Sequence, residues 1–240
     1  MSTGGAHIDC CECFVASRSV WAGLDRPCFE MLAKGLSRRD YGSGQVVFLQ
    51  GDPNAGIYCV RAGMIAIRRT DANGNSALLK LAYPGDTLGY RSFFEGNEHR
   101  SSAEAIGPAV VCRISRRTLL AAIAESPALN RCFVSRAVSD AESAYNTLTR
   151  QVALSNRGRL CQVLIDLTAR HGYRDDDGAD LLHLPITRRD LAAMIGTRHE
   201  TVSRIMARLE KEGLAAFSGR MVRIPRLDAL VASMDAELNG

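Results

Sequence analysis

Two stretches carry residues whose types and spacing could do chemistry. Near the N-terminus, Asp9-Cys10-Cys11-Glu12-Cys13 sets three thiols close together, and Cys10 and Cys13 have the C-x2-C spacing that lets two thiolates reach one metal ion or cluster. Pairs such as Cys11 with Cys13 are placed more awkwardly, and a terminal tail with idle thiols is the competing reading. The second stretch runs from Thr187 to Gly213. On a helical wheel, Arg198, His199, Glu200, Ser203, Arg204 and Arg208 fall opposite Val202, Ile205, Met206 and Leu209, with Thr197 just ahead. A guanidinium can donate two hydrogen bonds to guanine O6 and N7, and a carboxylate can accept from cytosine N4. Such a face suits the reading of base edges, and an ordinary solvated charged face is the alternative.

The elements that must position this face are legible around it. Thr187 with Asp190 makes a capping-box-like start, and Leu191, Met194 and Ile195 give an apolar stripe before Gly196 allows a tight turn. A second helix is predicted from Arg198 to Lys211. That is a helix-turn-helix, and the following LAAFSGRMVRIP, two apolar runs split by Ser218-Gly219, predicts a hairpin wing. The segment from Arg188 to Arg226 holds nine Arg/Lys against Asp190, Glu200, Glu210 and Glu212, although the whole chain carries only +4. Arg188, Arg189, Arg198, Arg208, Arg220 and Arg223 therefore suit phosphate or solvent.

Upstream, the pattern changes to short strands at Gln45–Phe48, Gly56–Arg61, Met64–Arg69, Ala77–Ala82, Thr87–Gly89, Ser102–Ala105 and Val110–Ile114, with Asn73-Gly74 as a hairpin turn. A small antiparallel barrel or double-sheet roll is expected, preceded by a helix over Pro27–Leu36 that buries Cys28. Between roll and DNA reader, a long helix is predicted over Ser126–Arg157. Its apolar positions Val134, Val138, Ala141, Tyr145, Leu148 and Val152 alternate by four and three, a seam suited to a homodimer. Gly158 is expected to form part of the hinge, Arg159–Arg170 the next helix, and Asp175-Asp176-Asp177-Gly178 a solvated loop rather than a calcium loop. No run approaches the 18 apolar residues of a membrane span, and Met1–Cys13 lacks the form of a signal peptide, so a cytoplasmic protein with reduced thiols is expected.

The run YGSGQVVFLQGDPNAGIYCVRAGMIAIRR, then LAYPGDTLGY and HRSSAEA, resembles the sensory β-roll of the CRP/FNR family of bacterial transcription regulators, with the roll glycines at Gly44, Gly51, Gly63, Gly85 and Gly89. HETVSR resembles the recognition helix of the FNR branch, which implies that Glu200, Ser203 and Arg204 read a TTGAT half-site. In cyclic-AMP-binding members an Arg-Ser pair holds the phosphate and a Glu the ribose. Here Arg100-Ser101 is present, but Leu88-Gly89-Tyr90 puts Tyr90 at the carboxylate position, which argues against cyclic AMP. The resemblance to oxygen sensors implies a [4Fe-4S] cluster. Cys10, Cys13 and Cys112 match three of its four ligand places, Trp21 stands near the remaining one, and Cys11 or Cys28 is the candidate fourth ligand.

The expectation is an α+β chain: a Cys-containing tail (1–20), a cyclic-nucleotide-binding-like antiparallel roll (21–125), a dimerisation helix (126–157) and a winged helix-turn-helix (158–240). Such a homodimer would bind a palindrome in double-stranded DNA under a redox or small-molecule signal received at the cluster or around Gly89, Tyr90, Arg100 and Ser101. RNA polymerase would be a further partner of an activator. A barrel-type metal enzyme is the rival, opposed by a single histidine, His99, between residues 41 and 114. A cyclic-nucleotide-binding subunit without DNA binding is opposed by HETVSR and the wing.

Overall fold

The run Ile57-Tyr58-Cys59-Val60 is buried on both faces, and this double burial organises the N-terminal unit. As strand β3 (Gly56–Ala62), it sends Ile57 and Cys59 into one core and Tyr58 and Val60 into another. The computed structural model describes residues 24–74, 76–96 and 98–237, and the chain separates into two units, residues 1–141 and 142–240.

In the first unit, helix α1 (Arg26–Ala33) starts where the Asp25 carboxylate accepts from the Cys28 amide at 3.1 Å. Strands β1 (Leu36–Tyr41), β2 (Val46–Phe48), β4 (Ile65–Thr70), β5 (Ser76–Ala82), β6 (Thr87–Leu88), β7 (Ser102–Ala105) and β8 (Ala109–Ser115) join β3. They form two four-stranded antiparallel sheets, β1-β8-β3-β6 and β2-β7-β4-β5, around a shared core that includes Phe48, Tyr58, Ile65, Leu88 and Val111. Asn73-Gly74 lies in the turn of the β4–β5 hairpin, as expected. The second core lies under the helices, where Cys28, Phe29 and Leu32 of α1 meet Ile114, Leu119, Leu129 and Phe133.

Several elements escaped the sequence reading, among them β1, the short helix α2 (Tyr90–Glu95) and helix α3 (Arg116–Glu125), and one element ended early. Leu36 pairs with Ile114 and opens β1, so α1 stops at Ala33 instead of reaching Leu36. Strand β1 exposes Ser37, Arg38, Arg39 and Asp40 and so carries no apolar alternation. Helix α3 is short. It begins where the Ser115 hydroxyl accepts from the Thr118 amide at 3.2 Å, and it buries Leu119 and Ala122.

The long helix α4 spans Pro127–Ala153. Its end and the hinge differ from expectation. Ser155 caps helix α5 (Asn156–His171) by accepting from the amides of Arg157 at 3.1 Å and Gly158 at 3.2 Å, so Gly158 lies buried in the first turn of α5. The break is therefore made by a capping serine rather than by the glycine.

The second unit is a winged helix-turn-helix. Helix α5 buries Leu160, Cys161, Leu164 and Leu167 at helical spacing. Strands β9 (Tyr173–Arg174) and β10 (Asp180–His183) follow, then helices α6 (Arg188–Ile195) and α7 (His199–Lys211), strands β11 (Ala216–Ser218) and β12 (Met221–Ile224), and helix α8 (Leu227–Asp235). The sheet order is β11-β12-β10-β9. The β11–β12 wing is as predicted, and Asp175–Gly178, read as a solvated loop, is the exposed turn of a β9–β10 hairpin that was not predicted, with Arg223 Nη2 donating to Asp177 Oδ2 at 3.4 Å. The α+β architecture of antiparallel roll, long helix and winged helix-turn-helix is thus present. Among the described residues no helix is long and apolar enough to cross a membrane.

Candidate DNA-reading face and roll cavity

The turn between α6 and α7 sets the reading face. Asp190 Oδ2 accepts from the Thr187 amide at 3.0 Å while the Thr187 hydroxyl accepts from the Asp190 amide at 3.2 Å, the complete capping box. At the other end of α6, Gly196 takes φ 68°, the left-handed conformation that lets the chain turn at once into α7. Val202, Met206 and Leu209 anchor α7 in the core, which leaves Arg198, His199, Glu200 and Arg204 exposed and Ser203 half-buried beside them. Arg188 is exposed at the start of α6. Thr197 is engaged locally, its Oγ1 accepting from Asn156 Nδ2 at 3.4 Å.

A half-buried arginine holds this reader together, and the sequence reading did not single it out. Arg157 in the first turn of α5 donates to Glu237 Oε1 at 3.2 Å, to Ser233 Oγ at 2.7 Å and to Glu212 just past α7. Glu212 also accepts from Arg208 Nε at 2.8 Å. Hydrogen bonds from Arg157 and Arg208 hold the Glu212 carboxyl below its usual value.

In the roll, Gly89, Tyr90, Arg100 and Ser101 are brought around one cavity of about 170 Å³, together with Arg69, Lys80, Arg91 and Asp140. Gly89 adopts φ 78°, and a Cβ there would stand 3.2 Å from the Gly56 carbonyl oxygen, so only glycine fits. Tyr90 turns its hydroxyl to helix α4, donating to Asp140 Oδ2 at 2.6 Å. Lys80 Nζ stands 3.5 Å and Arg136 Nε 3.2 Å from Asp140 Oδ1, and Arg136 also donates to Asp86 at 2.9 Å. Burial works to raise the Asp140 pKa, but the Tyr90 hydrogen bond and the Lys80 and Arg136 charges outweigh it and hold the carboxyl below its ordinary value. Asp140 was missed, although Arg136 and Asp140 at i, i+4 off the seam positions are a visible charge pair.

His99 is 2% exposed and stacks on Phe48 with ring centroids 3.8 Å apart. Burial lowers its pKa, and among the described residues neither ring nitrogen has a hydrogen-bond partner, nor has the buried Thr87 hydroxyl. All three residues line the cavity.

Cys10, Cys11 and Cys13 lie outside the described residues. Cys112 and Cys28 are buried core residues, packed with Leu32, Ile57 and Ile114, and burial pushes the Cys28 thiol up, away from the thiolate a cluster requires. Among the described residues no three His, Cys, Asp or Glu side chains converge to hold a metal ion, so these residues do not by themselves fit an iron–sulfur cluster. Along α4, Leu129 and Phe133 are buried, whereas Val134, Val138, Tyr145, Leu148 and Val152 are exposed large apolar residues, and Ala141 is exposed between them.

A sensory β-roll joined through a long helix to a winged helix-turn-helix defines the class: a DNA-binding transcription regulator. The model of the cyclic nucleotide-binding domain matches residues 38–126 and that of the Crp-like helix-turn-helix domain residues 158–233, together more than half of the chain. The chain belongs to the CRP/FNR family of transcription regulators. It is 24% identical to the anaerobic regulatory protein of Pasteurella multocida over 96% of this chain and 84% of that one. It is 25% identical to the CRP-like cAMP-activated global transcriptional regulator of Mycobacterium tuberculosis over 88% of this chain and 93% of that one. Among solved structures, the c-di-GMP responsive global regulator CLP of Xanthomonas campestris superposes with a TM-score of 0.73 at 20% identity, covering 83% of this chain and 99% of that one. These relatives are named for different signals, so similarity leaves the effector open. Membership in a family of transcription regulators outweighs the barrel-enzyme alternative.

Proposed function

We propose that the protein is a homodimeric transcription regulator that binds a TTGAT-N4-ATCAA-like palindrome through α7, under a signal received by the roll. The observation that carries this reading is the capped α6–Gly196–α7 turn, which leaves Glu200 and Arg204 exposed on the face opposite the buried Val202, Met206 and Leu209. Among the described residues Arg204 donates to Thr201 Oγ1 in its own helix, at 3.3 Å, and is otherwise exposed, so its guanidinium can reach a guanine edge. Ser203 and Glu200 share the same half-site, Arg198, His199, Thr197 and Arg188 flank it at the backbone, and the exposed α4 stripe supplies the two-fold partner. An activator of this kind would also contact RNA polymerase, and a cytoplasmic location goes with binding bacterial DNA. Arg204→Ala is expected to lose about 1 to 3 kcal/mol on the cognate palindrome and almost nothing on scrambled DNA, measured by fluorescence anisotropy at fixed salt. Equal affinity of the unaltered protein for both DNAs would overturn the reading.

The cavity lined by Gly89, Tyr90, Arg100 and Ser101 supports the reading of the roll as the place where the signal is received. The match of Cys10, Cys13 and Cys112 to three cluster-ligand places of oxygen-sensing family members supports a second signal, a [4Fe-4S] cluster on these residues with Cys11 or Cys28 as the fourth ligand. Anaerobically reconstituted protein should then contain about four irons per chain and lose them on Cys13→Ser. Colourless, iron-free protein after reconstitution excludes the cluster and leaves the cavity.

A further inference from the structure

We propose that Asp140 is a built-in anion of the roll cavity, and that a small anionic effector binds there by taking Lys80 from it. This rests on the reading of the cavity as the effector site, and adds the effector's chemistry and the group it displaces. Arg69, Lys80, Arg91 and Arg100 line the cavity, and only two carboxylates, Glu95 and Asp140, line it with them. Glu95 pairs with Arg100 at 2.8 Å and Asp140 with Lys80 at 3.5 Å. The cationic excess favours an anion.

The buried polar groups point the same way. His99 Nδ1 and Nε2 and Thr87 Oγ1 have no hydrogen-bond partner among the described residues, although His99 is 2% and Thr87 1% exposed. Orphaned groups of this kind are costly, and ligand oxygens beside a cation are what they lack. At about 170 Å³ the cavity has room for a phosphate-sized group.

Asp140 differs from the rest of the wall because it is carried on α4. Tyr90 and Lys80 belong to the roll, so their contacts with Asp140 tie α4 to it, alongside the Arg136–Asp86 bond. Tyr90 occupies the place where cyclic-AMP binders carry a ribose-holding carboxylate, and its hydroxyl is committed to α4 instead. When an anion takes Lys80, Asp140 loses a counter-charge across this junction and the hold on α4 weakens. The cavity and the helix thus compete for one lysine.

The test uses the full chain and inorganic phosphate as probe, titrated by calorimetry at constant ionic strength against chloride. Lys80→Met should abolish phosphate binding. Asp140→Asn should tighten it about tenfold, as expected from loss of one charged competitor. Tyr90→Phe, which keeps the ring beside Phe133, should tighten it less. Amide exchange over residues 136–141 should quicken when phosphate saturates the wild-type protein, and should be fast in Asp140→Asn without phosphate. Weaker or unchanged phosphate binding in a folded Asp140→Asn, or no binding beyond chloride in the wild type, overturns the proposal. Neither readout uses DNA, so phosphate binding that behaves as described but leaves palindrome affinity unaltered would strike the effector reading alone.

Discussion

Replacing Val138 and Leu148 together by aspartate should leave the protein monomeric at micromolar concentration and strip it of tight palindrome binding. Val138 is 64% and Leu148 58% exposed in the single chain, and both belong to the four–three stripe of α4. Exposed substitutions rarely change protomer stability by more than about 0.5 kcal/mol, so the double variant should keep the circular dichroism spectrum and unfolding transition of its roll. In a dimer seam the same change sets two pairs of carboxylates against apolar partners, at a cost of several kcal/mol. Light scattering and anisotropy report the two consequences separately. A double variant that remains dimeric places the two-fold contact elsewhere.

Arg157→Met should destabilise the winged-helix unit by about 3 kcal/mol, the low end for breaking a buried pair because Glu212 and Glu237 stay partly wet. The methionine keeps much of the aliphatic stem but takes one donor from Ser233 and from each carboxylate, leaving Glu212 with Arg208 and Glu237 with Ser155. Thermal unfolding of the variant should show the C-terminal unit melting earlier, with the roll transition unmoved. A pH dependence follows from Glu212, whose folded pKa is held below its ordinary 4.5. Its stabilising contribution is complete above that value and is lost as pH falls through the lower folded one. The wild-type unit should therefore lose stability more steeply below pH 4.5 than Arg157→Met does. Parallel acid profiles would show that the network contributes nothing to folding.

What the sequence by itself determined is local. The Thr187–Asp190 cap, the Gly196 turn, the amphipathic α7 and the Ser218-Gly219 wing were readable because each is decided within a few residues, by backbone geometry or by the helical period. The seam stripe was readable for the same reason, since a heptad is a property of one helix. Strand β1 was not, because its residues face solvent and only pairing with β8 makes it a strand. A break near Gly158 was readable, but not that the capping Ser155 makes it, because a glycine is the stronger local signal. Tyr90, Arg100 and Ser101 could be named by resemblance, but not that Tyr90 turns to Asp140 fifty residues onward, nor that Lys80 meets the same carboxylate. Arg157 was hidden in the same way, its partner Glu237 lying 80 residues downstream. Such pairings have no period and no fixed spacing. Only the packing of distant elements brings these charges together, and burial then decides how strongly they act.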